Sequence, residues 1–275
     1  MALNLMYITN EIEIAKIAER AGVDWIFVDL EINGKEERQG HLDTVISKHK
    51  ISDVKKIKSV LKKSKLLVRV NPIFEGSKYE IDSVIEYGAD IVMLPFFRTK
   101  EDVRKFIDYV NNRAKVMLLL ETPEAVDNID SILNESGIDY IHIGLNDLHL
   151  GYRMKFMFEL LSNGTVEMLC KKIKQKSIPY GFGGIARIRS GLLPAENILA
   201  EHYRLGSSMV ILSRSFYSIK ESTNLDIADK TFTDGITAIR EYETELSLKS
   251  DEFFQQNKIK LKTLVDKIAN SCVVD

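Results

Sequence analysis

Glu121 closes the run KVMLLLE at 115–121, directly after three leucines, in a stretch where the chain offers it little water. A charge placed there must be paired or must bind a metal. Two chemistries follow: a salt bridge to a lysine or arginine, or ligation of a cation. Asp147 stands just beyond the next apolar run, in IHIGLND, and serves equally well as the N-cap of the short segment LHLGY. Two hard oxygen ligands from neighbouring runs, with other positions open, suit Mg2+ or Mn2+ better than zinc. Arg69, in LLVRVNP, sits at the end of another apolar run and needs an anion. That anion is either a protein carboxylate or the carboxylate or enolate of a substrate. Asp29 and Glu31 end the run before it, and Asn146 precedes Asp147, where backbone N–H groups add to an anion site.

Further candidates lie in two loops. GFGGIAR at 181–187 is glycine-rich and places Gly183 and Gly184 where barrels often cradle a phosphate; Arg187 and Arg214 add positive charge. The stretch EINGKEERQGHLDTVISKH at 31–49 is far longer than an ordinary strand-to-helix connection, and such loops tend to be functional. It is either a solvated charged loop or a lid in which Lys35 and Arg38 grip an anionic group. His41 or His49 in it would titrate near neutrality and serve as acid or base. His142, inside an apolar run, and His202, inside a helical stretch, read as structural, whereas His149 fits either role.

These residues gain meaning from the elements that carry them. Eight short apolar runs recur: LNLMYI (3–8), DWIFVDL (24–30), LLVRV (66–70), DIVMLP (90–95), KVMLLLE (115–121), DYIHIG (139–144), IPYGFG (178–183) and SMVILS (208–213). They are near-continuously apolar, as parallel strands covered on both faces require. Helical stretches separate them. Asn10 is a candidate cap for the first, which Gly22 ends; Thr99 caps another; Pro123 opens a helix over about 123–135; and Leu193 to Tyr203 forms one closed by Gly206. Strand and helix in alternation leave a closed barrel or a doubly wound sheet. No G-x-G-x-x-G follows the first strand, so a dinucleotide fold is disfavoured. The 275 residues match one (β/α)8 TIM barrel of about 250 residues. We therefore expect a single domain: a barrel core over 1–225, then the last barrel helix and a C-terminal helical arm over 226–275. The arm either packs across the barrel or a neighbouring subunit, or stays solvated. In a barrel, the candidate residues above gather at the C-terminal rim of the strands, and the turns EYGAD, ESGID and RLGSS lie at the other rim.

Composition narrows the class. Apolar residues make up 45% and charged residues 28%, so a packed core is expected. A net charge of −2, from 38 basic and 40 acidic side chains, gives no case for nucleic acid or an acidic membrane surface. Cys170 and Cys272 lie far apart, which disfavours zinc and disulfides and suits a cytoplasmic protein with reduced thiols. The start MALNLMYITNEIEIAK lacks the basic-then-apolar pattern of a signal peptide, and no apolar run reaches bilayer length.

In order along the chain, VDLE (28–31), LVRVNP (67–72), GADIVMLP (88–95), LLETPEAVDNIDSIL (119–133) and IDYIHIGLNDLHLG (138–151) resemble the HpcH/HpaI aldolase and citrate lyase β-subunit family of metal-dependent barrels. The resemblance covers about residues 2–216. It implies a barrel, Mg2+ or Mn2+ on Glu121 and Asp147, Arg69 on the oxygens of a pyruvate-type 2-oxo acid, and homo-oligomers, often trimers or hexamers. The activity it implies is carbon–carbon cleavage or formation through an enolate. The sugar-acid aldolases of the family carry Asp-Gly-Glu-His at the second strand; here Asp29, Leu30, Glu31 and Ile32 stand there, without the histidine. They also carry a glutamine where Leu119 stands. The sequence thus leans toward the citrate-lyase-like branch. An acyl-CoA lyase of the malyl- or citramalyl-CoA type, with a phosphorylated or CoA-linked substrate, and a non-catalytic barrel scaffold are the alternatives.

Overall fold

The computed structural model describes residues 2–33, 49–213, 216–217 and 224–271. Eight parallel strands close into a barrel in sequence order: β1 (Asn4–Ile8), β2 (Trp25–Asp29), β3 (Lys65–Arg69), β4 (Ile91–Leu94), β5 (Lys115–Leu120), β6 (Tyr140–Ile143), β7 (Tyr180–Ile185) and β8 (Met209–Leu212). Each matches an expected apolar run. The continuous apolarity has the anticipated cause, because each strand buries both faces. Met6, Trp25, Phe27, Leu67, Ile91, Met93, Met117, Leu119 and Met209 fill the barrel interior. Alternate residues such as Leu5, Ile26, Val28, Val68, Val92, Leu118 and Ile141 join the larger core outside.

Around the strands run α1 (Ile12–Ala21), α2 (Ile51–Lys58), α3 (Ser77–Glu86), α4 (Lys100–Val110), α5 (Pro123–Asp127), α6 (Ile129–Ile132), α7 (Leu145–Gly151), α8 (Glu159–Ser162), α9 (Thr165–Gln175), α10 (Ala195–Leu205), α11 (Leu225–Leu246) and α12 (Asp251–Ser271). Thr99 caps α4 through the Asp102 N–H, and Asp102 returns a bond to the Thr99 N–H. Gly22 ends α1 at φ +104, a backbone that favours glycine. Two expectations need correction. Asn10 does not cap α1; Glu11 holds that position, and the Asn10 amide bonds Asp53 instead. The single helix expected over 123–135 is two short ones, broken at Asn128.

The opposite rim is tied by one repeated device. Asp24, Asp90 and Asp139, each at the entry to an even-numbered strand, accept the backbone N–H of Leu5, Leu66 and Val116 on the preceding strand. Each also pairs with a cation: Arg240, Lys58 and Lys115 respectively. These aspartates end the turns Gly-Val-Asp, Gly-Ala-Asp and Gly-Ile-Asp.

The last barrel helix, α11, packs on α1, and α12 packs back on α10 and α8. Leu261, Val265 and Ala269 form the buried stripe of α12, at helical spacing. Asn257 adds a polar anchor, donating to the Asn197 carbonyl and to Glu201. The arm thus lies against its own barrel. Cys170 is buried on α9, and burial pushes its thiol up to about 12; Cys272 lies outside the described residues. Among the described residues, no helix is long and apolar enough to cross a membrane.

Candidate active site

Strand register brings the first pair together. Asp29 and Arg69 are direct cross-strand partners at the C-terminal ends of β2 and β3. They share the inward face of Phe27 and Leu67, since alternate strand residues point to one side. The pair is bidentate: Arg69 Nε and Nη2 each lie 2.8 Å from an Asp29 oxygen. Glu31 approaches Nε at 3.4 Å. Burial opposes the guanidinium charge, yet the carboxylates of Asp29 and Glu31 outweigh it and raise the Arg69 pKa. Of the two anions expected for Arg69, the protein carboxylate is present. Nη1 has no hydrogen bond among the described residues.

Asn71, two residues past Arg69, shapes the chain beyond Glu31. Its side-chain oxygen accepts the N–H groups of Ile32 and Asn33, both at 2.9 Å, and its amide donates to Glu80. Burial raises the Glu80 pKa.

Glu121 follows β5 on the face of Met117 and Leu119 and is 3% exposed. One oxygen accepts the Phe96 N–H at 3.1 Å. Phe96 adopts φ +49, a left-handed conformation uncommon for a bulky residue and often found near functional sites. Burial, then Asp147, then Glu31 raise the Glu121 pKa well above the ordinary value; Arg69 and the Phe96 N–H oppose them. Glu121 forms no ion pair among the described residues. Gly144, just past the end of β6, has to lack a side chain, because a Cβ there would stand 2.8 Å from both Cβ and Oε2 of Glu121. Asp147 lies in the first turn of α7, whose N-cap is Gly144. Asp147 is therefore not the cap of that turn, and its charge acts on Glu121. Asn146 is one residue earlier in the same turn, and its carbonyl bonds His149 Nδ1.

His49 returns the chain to this cluster: its Nδ1 accepts the Asp29 N–H at 3.0 Å. A nitrogen that accepts carries no proton, so the neutral ring is held as the Nε2–H tautomer. Lys35, Arg38, His41 and Arg214 lie outside the described residues. Gly183 and Gly184 lie in the C-terminal half of β7 beside the turn of Asp147, where a Cβ on Gly183 would stand 2.7 Å from Leu145. Arg187 departs from the group and lines a cleft against α11 with Lys230 and Thr231. A separate cavity of about 490 Å3 lies under the arm, between Arg189, Tyr242, Phe253 and Lys260. Among the described residues, no group of three His, Cys, Asp or Glu side chains is placed to hold a metal.

The structure thus gathers Asp29, Glu31, His49, Arg69, Glu121 and Asp147. Sequence reasoning missed the Phe96 N–H and the Asn71 clamp. Phe96 carries no type signal, but Asn71, following Arg69 in RVNP, was a readable hint.

Known proteins resemble this chain. A family model described as HpcH/HpaI aldolase/citrate lyase matches residues 5–156, a span holding every member of that cluster. The 2-keto-3-deoxy-L-rhamnonate aldolase of Escherichia coli O9:H4 (strain HS) is 27% identical over 172 residues, 50% of this chain and 58% of that protein. The enzyme of the same name from Shigella dysenteriae serotype 1 (strain Sd197) matches to the same extent. The chain therefore spans little more than half the length of these curated relatives. Among solved structures, an HpcH/HpaI aldolase from Desulfitobacterium hafniense DCB-2 superposes with a TM-score of 0.61 at 17% identity, covering 82% of this chain and 92% of that one. A family protein from Burkholderia cenocepacia J2315 gives 0.59 at 16%, covering 83% and 95%. At that identity the likeness speaks for the fold.

Proposed function

The chain belongs to the HpcH/HpaI aldolase/citrate lyase family, and from that premise we propose a carbon–carbon lyase that works beside a small 2-oxo acid and uses a divalent cation. The observation that carries the reading is Glu121: a buried carboxylate facing two others, with the one arginine that acts on it among the described residues already engaged by Asp29 and Glu31. Such a cluster of negative charge fits a cation, held by Glu121 and Asp147. Two protein ligands leave the remaining positions for water and for substrate oxygens. When bound, a divalent ion there supplies Lewis-acid charge against a substrate oxygen.

The chain's own residues have definable tasks. Cleavage of a 4-hydroxy-2-oxo acid removes the hydroxyl proton, breaks the adjacent carbon–carbon bond and leaves the electron pair as an enolate on the oxo acid. Asp29 orients Arg69 by two bonds, so that the Nη1 hydrogens are free to meet the oxyanion. Burial of Glu121 and Arg69 keeps water from screening that interaction. Among the candidate bases, Asp29 has both oxygens on Arg69, and His49 already carries its proton on Nε2. Of the side chains considered, Glu31 and His41 remain as proton acceptors; loss of turnover in Glu31→Gln or His41→Asn identifies which one acts, and full turnover in both assigns the proton to solvent water.

The reading is tested without knowing the second substrate. With Mg2+ present, the wild-type protein should exchange the methyl hydrogens of pyruvate for deuterium, followed by proton NMR. Glu121→Gln should lower the rate by at least about a hundredfold, as loss of a charge-stabilising group does. Equal exchange by the variant rejects the scheme.

A further inference from the structure

His142 lies inside the barrel on β6, fully buried and two residues before Gly144. Tyr140, on the same side of the strand, packs against the interior cluster. The Nε2–H of His142 donates to the carbonyl of Gly183 at 2.9 Å, and Nδ1 has no partner. Burial, with help from the Arg69 charge, holds the pKa down to about 4, so the ring is neutral and its one proton is on Nε2. That proton reaches the most irregular point of the barrel. Gly183 stands at φ +53, and the register between β7 and β8 slips between Gly181 and Gly184. A bulge of this kind re-aims the backbone beside a site. Gly181, Phe182 and Ile185 are buried, whereas Gly183 and Gly184 are partly exposed. The strand's flanks are covered by helices, so this exposure opens onto the mouth, next to Leu145 and the turn of Asp147.

We propose that His142 is a positioning residue whose hydrogen bond to Gly183 holds the Gly183–Gly184 backbone as a side-chain-free wall of the mouth, shaped for the oxo and methyl carbons of the 2-oxo acid. The proposal rests on the lyase reading for its substrate and on geometry alone for the clamp. Without a donor at 142 the Gly183 carbonyl loses its side-chain partner at the point where the ladder with β8 slips, and a glycine pair of high backbone freedom holds the wall's shape less firmly. A carboxamide on a similar stem supplies the same N–H, which separates the hydrogen bond from bulk.

The test compares His142→Leu and His142→Gln by deuterium exchange of the peptide spanning residues 180–185, and by pyruvate methyl exchange, below the melting temperature of each variant. The leucine variant should raise exchange in that peptide by at least about tenfold while α9 and α10 keep their protection. It should raise KM by about tenfold with kcat within about threefold of wild type, and the glutamine variant should restore both. Unchanged protection in the leucine variant overturns the clamp; lost protection with an unchanged KM overturns the wall. If wild type exchanges no pyruvate, the lyase reading fails, while peptide protection still decides the clamp. If the leucine variant does not fold, Gly184→Ala reads the same wall: its Cβ would sit 3.2 Å from the Ile211 carbonyl, close but adjustable. That variant should raise KM and spare kcat, and an unchanged KM counts against the proposal.

Discussion

Glu121 and Asp29 show how differently two buried carboxylates are treated in one barrel mouth. Asp29 has a guanidinium on both oxygens, whereas Glu121 has one backbone N–H and two like charges. The sequence disclosed that Glu121 was buried, since it follows three leucines. It hid the Asp29–Arg69 pair, because those residues lie 40 positions apart and meet only through strand register. The neutral histidines give a prediction at this scale. The His142 pKa falls to about 4, and burial also lowers that of His202. An unfolded imidazole takes its proton near pH 6.5, but the folded one refuses it until about pH 4, so stability falls as pH drops through that interval. For His142 alone the loss amounts to about 2 kcal/mol at pH 5. Urea unfolding at pH 7 and pH 5 should therefore show a smaller pH difference for His142→Gln than for wild type; equal differences contradict the assignment.

At the scale of elements, the eight strands were legible because parallel strands buried on both faces leave an unbroken apolar trace. Helix ends were legible where a side chain caps the backbone, as Thr99 does, and misread where the candidate cap had a tertiary partner, as Asn10 has in Asp53. The arm was legible as a helix but not in its docking, which depends on polar contacts between distant segments. Glu167 on α9 bonds Arg204 of α10 and Lys258 of α12. Those bonds lower its pKa from 4.5 to about 2. A carboxylate so depressed contributes stability above its unfolded pKa and loses it as pH falls from about 4.5 toward 2. Glu167→Gln should melt at a lower temperature than wild type at pH 7, and the two curves should converge in acid when followed by circular dichroism. A constant gap from neutral to acid pH would contradict this role.

Across the whole molecule, the two rims divide the labour. One is closed by aspartates tied to backbone and to surface cations; the other collects carboxylates, an arginine and bare glycine backbone. A barrel whose strands are secured at one end can tolerate crowded like charges at the other. That division makes the central claim one about a cation, and titration of Mn2+ followed by paramagnetic resonance, with and without oxalate as an oxo-acid mimic, tests it most directly. The wild-type protein should bind Mn2+, oxalate should tighten the complex, and Glu121→Gln and Asp147→Asn should each weaken it by at least about tenfold. Mn2+ bound equally well by wild type and both variants would contradict the account.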